Sequence, residues 1–430
     1  MNTFINPPEN TWPQLCERPQ VGLEFLDSSV RNVLNRVRKS GDEALRELTL
    51  QFDKAAIENF LVSAEEIEAA GKQLPEALKK AIQVAAANIE KFHASQARET
   101  QVIETTPGVR CWRKGIPIEK VGIYIPGGSA PLFSTVLMLG IPAKIAGCRE
   151  VIMCTPPDNG GNVHPAILFA ASLVGLTTIY KVGGAQAIAA MAYGTASIPQ
   201  VYKIFGPGNQ YVTKAKQLVM MEEGVAIDMP AGPSEVLVWA DESANPLFVA
   251  ADLLSQAEHG EDSQVMLVLT NETLVATIQE ELGELLKTLP RKNIAEKALA
   301  YSRAVIFNDR EKAIGFINAY APEHLIINTA HPEQGAEKIT NAGSVFLGNY
   351  TPEALGDYAS GTNHTLPTNG YARAYAGVSL ESFLKYITYQ SVSPDGIRQL
   401  GPVVEQMAEA EELQAHKLAV TVRLQELSKS

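Results

Sequence analysis

From residue 121 onward the chain alternates short β-branched runs with apolar helical segments, a rhythm that commits it to parallel sheet built from β-α-β units. The first runs cover residues 121–125, 151–155, 178–182, 203–205 and 225–228. Each leads into turn residues: Pro126-Gly127-Gly128-Ser129, Thr155-Pro156-Pro157, Gly183-Gly184-Ala185, Gly206-Pro207-Gly208-Asn209 and Pro230-Ala231-Gly232-Pro233-Ser234. In an open parallel sheet such loops gather at the carboxyl ends of the strands, where glycine admits close backbone approach and helix N-termini favour phosphate. A nucleotide cleft is expected there, although no loop has the G-x-G-x-x-G spacing of a standard dinucleotide fingerprint.

A second series follows, with strands expected at 236–240, 265–270, 304–307, 325–328 and 344–347 and helices between them. Its rhythm matches the first series but its sequence does not, so no repeat is read. The fold class expected is α/β, with two doubly wound Rossmann-like sheets lacking the glycine fingerprint. At 430 residues the chain exceeds one ordinary core. Residues 28–98 read as helices, one opened by the capping box Ser63-Ala64-Glu65-Glu66. Four prolines in residues 1–20 mark an arm of the kind that reaches a neighbour, and from residue 379 the chain reads as helical, ending in a long amphipathic segment over 396–427. The units expected are an N-terminal arm (1–20), a discontinuous first α/β domain (21–122 and 236–378), a second α/β domain (123–235) and a C-terminal helical domain (379–430).

A hydrophobic fraction of 46% with 20% charged residues is that of a soluble globular protein. The formal charge of -12, without a cluster of Lys and Arg, argues against nucleic acid or an anionic membrane as partner. Cys16, Cys111, Cys148 and Cys154 have no C-x-x-C spacing, and no signal or transit pattern opens the chain, so a reduced, cytoplasmic setting is expected. Residues 130–147 are largely apolar but hold Lys144, Pro131 and Pro142, which points to a buried helix rather than a membrane span.

The groups able to do chemistry are scattered. In Leu253-Leu254-Ser255-Gln256-Ala257-Glu258-His259-Gly260 an apolar helix reaches two cation-binding side chains, Gln256 and His259, three apart and so on one helical face. His324, His364 and His416 are the other histidines in distinctive surroundings, and Asp357, between Gly356 and Gly361, is the best-placed carboxylate. Read locally, Asp357 is equally a turn residue and His416 equally a helix-surface residue. His93 reads as an ordinary surface or half-buried histidine, and His164 and His331 as loop residues. Glu323 and His324 adjoin before a strand. A histidine near neutral pKa can take a hydroxyl proton and a carboxylate can activate water, provided the turn aims both at one pocket. No H-E-x-x-H occurs.

Over nearly its whole length the sequence resembles the histidinol dehydrogenase family. The resemblance rests on Gly122-Ile123-Tyr124-Ile125-Pro126-Gly127-Gly128, on Lys203-Ile204-Phe205-Gly206-Pro207-Gly208-Asn209, and on residues 227–235, 252–260, 343–348 and 356–367. It implies NAD-dependent four-electron oxidation of L-histidinol to L-histidine through the aldehyde, with one Zn2+ per subunit. The zinc ligands it implies are Gln256, His259, Asp357 and, from the partner subunit of a homodimer, His416. Glu323 and His324 would be the catalytic pair, and Tyr124, Gln186 and Asn209 would contact NAD. Ser234, His364 and Glu411 would contact the substrate together with Gln256, His259, His324, Asp357 and His416, with Glu411 from the same partner helix as His416. The missing fingerprint suggests weak dinucleotide binding. Alternatives are a relative that oxidises another small polar alcohol such as a sulfonated one, a zinc hydrolase on similar layers, and a nucleotide-binding regulatory subunit.

Overall fold

The computed structural model describes residues 1–19, 25–127, 130–230 and 232–429. Gly128, Ser129 and Ala231 of the turns named above, and Gln20 of the arm, lie outside the described residues. Both strand series form all-parallel sheets. The first has five strands in the spatial order Ile179–Lys181, Glu150–Thr155, Lys120–Tyr124, Lys203–Phe205, Ala226–Ile227. The second has six, in the order Asn2–Ile5, Arg303–Ile306, Gln264–Leu269, Glu235–Ala240, His324–Asn328, Ser344–Leu347. In both, the founding strand is flanked on its two sides by later strands, which creates a topological switch point beside it. Glu235–Ala240 and Gln264–Leu269 are buried at every position, as strands covered on both faces must be.

Helix packing departs from the expected grouping. Leu26–Asp53 packs on Gly184–Tyr193 and Gln210–Glu223, and Ala64–Gln73 and Glu76–Ala94 pack on Pro165–Val174 and Phe133–Ala146. Residues 26–94 thus cover the five-stranded sheet; they do not join the sheet of residues 236–378. The apolar stretch around Phe133–Ala146 is a buried helix, and among the described residues no helix is long and apolar enough to cross a membrane.

The arm is partly a core element. Asn2–Ile5 adds an edge strand alongside Arg303–Ile306, and Trp12 packs edge-on against Phe307 and Phe316 at 5.7 and 5.6 Å. A third, antiparallel sheet was not expected: Leu384–Val392, within a region read as helical, pairs with Val109–Pro117, which also pairs with Val102–Thr106. The long C-terminal segment is a hairpin of two helices, Pro394–Ala410 and Gln414–Leu427, because the chain reverses at Glu412 with φ of 59°. Gln414–Leu427 buries none of its residues, and Val403, Val404, Met407, Leu413, Leu418 and Val422 are exposed.

Candidate active site

The five-stranded sheet places its loops as its topology dictates. A cleft of about 1650 Å³ lies off the carboxyl ends of its strands, lined by Tyr124, Thr155, Gln186 and Asn209. Tyr124 ends the central strand, and its hydroxyl accepts a hydrogen bond from the Gly184 N–H at 3.0 Å. Gln186 is 1% exposed, and its amide nitrogen has no hydrogen-bond partner among the described residues. Asn209 caps Gln210–Glu223, its oxygen accepting from Tyr211 and Val212 N–H. Asp53, also in the cleft, is pushed up to about 6 by burial. The glycines have a more local duty than phosphate approach: a Cβ at Gly127 or Gly183 would overlap the Pro156 ring, so three strand-end turns nest together. The turn at Gly206 is held by the buried Lys216–Asp228 ion pair, with Asp228 accepting from Gly206 N–H at 2.8 Å and Lys216 donating to its carbonyl at 2.9 Å.

In the six-stranded sheet the candidate groups stand at the opposite edge. His324 and Glu235 open their strands, Glu323 immediately precedes one, and all three lie at the amino ends. Gln256 and His259 reach the same edge because Pro246–Ala257 runs back across the sheet. His259 N–H bonds the Gln256 carbonyl at 3.2 Å, an i to i+3 turn that keeps the two side chains on one side. Asp357 comes from the short helix Glu353–Tyr358. A second cleft, of about 1740 Å³, opens here, lined by Ser234, His259, Arg18 and Asn209, so the two clefts meet at Asn209.

The turn does aim Glu323 and His324 at common ground. Glu323 Oε2 accepts from the Glu235 N–H at 2.9 Å, His324 Nδ1 lies 3.3 Å from the Glu235 carbonyl, and 3.7 Å separates Nδ1 from Glu323 Oε2. The other nitrogen, Nε2, faces Asp357 Oδ1 at 3.4 Å. Burial raises Glu323 and Glu353 to about 8. It would lower His324, but the carboxylates of Glu323, Asp357 and Glu353 carry that imidazole well above its ordinary value. Burial would raise Asp357, yet His324, His364 and His259 hold it below the usual carboxylate range. His364 is pushed down to about 4 by burial, and its Nε2 lies 3.4 Å from Thr135 Oγ1 on the other sheet's helix.

His93 differs from expectation. It is fully buried, its Nδ1 donating to the Ile89 carbonyl at 2.9 Å and its Nε2 lying 3.3 Å from Asn363 Nδ2. Asn363 also donates to Met138 O at 2.6 Å, so His93 pins the loop that carries His364. Glu235, Arg18, Glu353 and Ser255 are part of this surrounding and were not read from the sequence. A carboxylate opening the otherwise apolar strand Glu235–Ala240 was the available signal.

Among the described residues no three His, Cys, Asp or Glu converge on a metal position. One chain does supply an amide, an imidazole and a carboxylate at Gln256, His259 and Asp357, with the buried Gln256 Nε2 unpartnered. This mixed N/O set suits zinc but is one ligand short of the usual four. Glu411 and His416 are exposed on the C-terminal hairpin and are not brought to the site of their own chain.

The sequence profile of histidinol dehydrogenase matches residues 16–424. Histidinol dehydrogenases of Bacteroides fragilis (strain YCH46) and Bacteroides thetaiotaomicron are 60% identical over 429 residues and 59% identical over 427, covering 100% and 99% of this chain and 100% of each relative. The crystal structure of histidinol dehydrogenase from Elizabethkingia anophelis superposes with a TM-score of 0.97 at 58% identity, over 100% of this chain and 99% of that one. On this profile match, this identity and this fold, the chain belongs to the histidinol dehydrogenase family.

Proposed function

We propose that the chain oxidises L-histidinol to L-histidine in two NAD-dependent steps at a zinc site shared between two subunits. The observation that carries this reading is the grouping of His324 with Glu323, Asp357 and His259 at one sheet edge, where His259 lines a cleft that adjoins the nucleotide-sized one and Gln256 stands one turn before it. When bound, zinc held by Gln256, His259, Asp357 and the partner's His416 supplies a Lewis-acid anchor for the substrate's imidazole and amine, and NAD, near Tyr124, Gln186 and Asn209, supplies the hydride acceptor.

The chain's own groups handle protons and position. His324 takes the hydroxyl proton as the alcohol carbon loses hydride, leaving an aldehyde, NADH and a proton. In the second step Glu323 takes a proton from the water that adds to the aldehyde. His324, once it has released the first proton, would take the hydroxyl proton of the hydrate as a second hydride leaves the same carbon for a second NAD, and the resulting acid ionises to the carboxylate. A glutamate raised to about 8 is, once ionised, a stronger base than a solvated one. Ser234 and His364 of the same chain would complete the substrate pocket together with the partner's Glu411. The test is NADH absorbance on mixing protein, NAD and L-histidinol, with metal analysis of the same sample: two NADH per alcohol and one zinc per chain are expected, and no NADH would sink the reading.

The homodimer is supported by the hairpin, whose exposed apolar side chains and unburied second helix have no core in their own chain. Mixing a His259→Ala subunit with a His416→Ala subunit is expected to restore about half of the wild-type activity per heterodimer, since one of its two sites is then intact. Heterodimers that form but stay inactive would exclude the shared site.

A further inference from the structure

We propose that Arg18 and Glu235 are positioning residues for the reaction, Arg18 fixing Glu235 while the backbone of Glu235 aims Glu323 and His324. The inference rests on the catalytic roles given above to Glu323 and His324.

Glu235 is 1% exposed and begins a strand in the interior of the six-stranded sheet. Both halves of its backbone are in use. Its N–H donates to Glu323 Oε2 at 2.9 Å, and its carbonyl oxygen lies 3.3 Å from His324 Nδ1. A carbonyl only accepts, so Nδ1 keeps its proton, and when the imidazole gives one up it does so from Nε2, the atom facing Asp357. One peptide unit on either side of a single residue thus orients the water-activating carboxylate and selects the tautomer of the base.

The side chain of that residue is held from the arm. Arg18 Nε and Nη2 donate to Glu235 Oε2 and Oε1 at 2.7 and 3.1 Å, a two-pronged contact that fixes direction as well as distance. The guanidinium is itself secured: Nη1 donates to the Cys16 carbonyl at 2.9 Å, Nη2 to the Tyr320 carbonyl at 2.7 Å, and its plane lies 3.7 Å over the Tyr320 ring. The Tyr320 hydroxyl lies 3.2 Å from Glu235 Oε2 and 2.9 Å from Gln264 Oε1. A buried ion pair is a poor source of stability compared with well-packed apolar groups, so its use here is geometric. Arg18 also lines the second cleft, which gives a small cation in solution a route to the place its guanidinium occupies.

The experiment compares wild type, Arg18→Ala and Arg18→Lys, each scaled to its folded fraction and with metal content measured. Because a misplacement of about 1 Å at a reacting group costs on the order of 10²-fold, Arg18→Ala is expected to lose about 10²-fold in kcat, with KM for histidinol little changed and metal retained. Added guanidinium ion should recover part of kcat in Arg18→Ala and none in wild type. Arg18→Lys keeps the charge without the fork and should fall between the two; it also carries the test if Arg18→Ala does not fold. Wild-type kcat per folded molecule in either variant would overturn the positioning role, as would a loss that appears only in KM. A wild-type enzyme that fails to oxidise histidinol would instead overturn the functional reading.

Discussion

Replacing His324 with alanine is expected to lower kcat by about 10²–10⁴-fold, the usual contribution of a positioned general base, while the protein keeps its metal. The imidazole is 4% exposed, bonded through Nδ1 to the Glu235 carbonyl and aimed through Nε2 at Asp357, which leaves Nε2 as the nitrogen that takes the proton. Gln256, His259 and Asp357, the ligands proposed for zinc, are untouched by the substitution, and elemental analysis of the variant beside the steady-state assay separates loss of the base from loss of the site. Near-wild-type turnover in a metal-loaded His324→Ala protein would remove His324 from the mechanism. Loss of the metal along with the activity would make it a structural member of the zinc site.

Gly206→Ala is expected to be severely destabilising to the half of the chain built on the five-stranded sheet. Gly206 has φ of 128°, a conformation that side chains rarely adopt. A Cβ there would fall onto the carbonyl oxygen of Tyr124 and within 2.9 Å of its carbonyl carbon. Those are backbone atoms of the central strand of the five-stranded sheet, so the clash cannot be relieved by a rotamer change. A cost of about 4 kcal/mol or more follows from combined strain and overpacking. Gly224→Ala is the control: its φ is 67°, nothing lies within 4 Å of the added methyl, and about 1 kcal/mol is expected. Thermal melts of the two variants against wild type test the contrast; equal melting temperatures would show that the Gly206 turn yields more easily than its packing implies.

The strands that stand out most plainly in the sequence are the completely buried ones. A strand covered on both faces needs an unbroken apolar run, and such runs stand out at Glu235–Ala240 and Gln264–Leu269 whatever lies far off in the chain. Leu384–Val392 was obscured for the opposite reason. Tyr386, Ile387, Thr388 and Tyr389 are strand-forming residues, but the strand is largely exposed and so lacks the alternation that one buried face imposes. The turn at Glu412 is likewise silent, because a left-handed glutamate leaves no mark in a helical pattern.

For the candidate site, the sequence displayed the chemical groups, the family resemblance implied their roles, and neither gave the geometry. Glu323, His324, Gln256, His259 and Asp357 stand in motifs that single them out. Which edge they occupy follows only from the direction in which Pro246–Ala257 returns across its sheet, and it is the amino edge, opposite to the one that serves the nucleotide half. Arg18 looked like part of a proline-rich arm until its guanidinium was placed on Glu235.

By itself, then, the sequence determined two parallel sheets, their strands apart from the edge strand Asn2–Ile5, and the chemical groups available, since these follow from local burial and side-chain type. The tertiary structure alone decided that residues 26–94 cover the five-stranded sheet, that the backbone of Glu235 contacts both Glu323 and His324, and that Glu411 and His416 stand exposed on the C-terminal hairpin. These are pairings between distant segments, chosen by which apolar faces fit together and which buried charges find partners, and no local stretch of sequence encodes them.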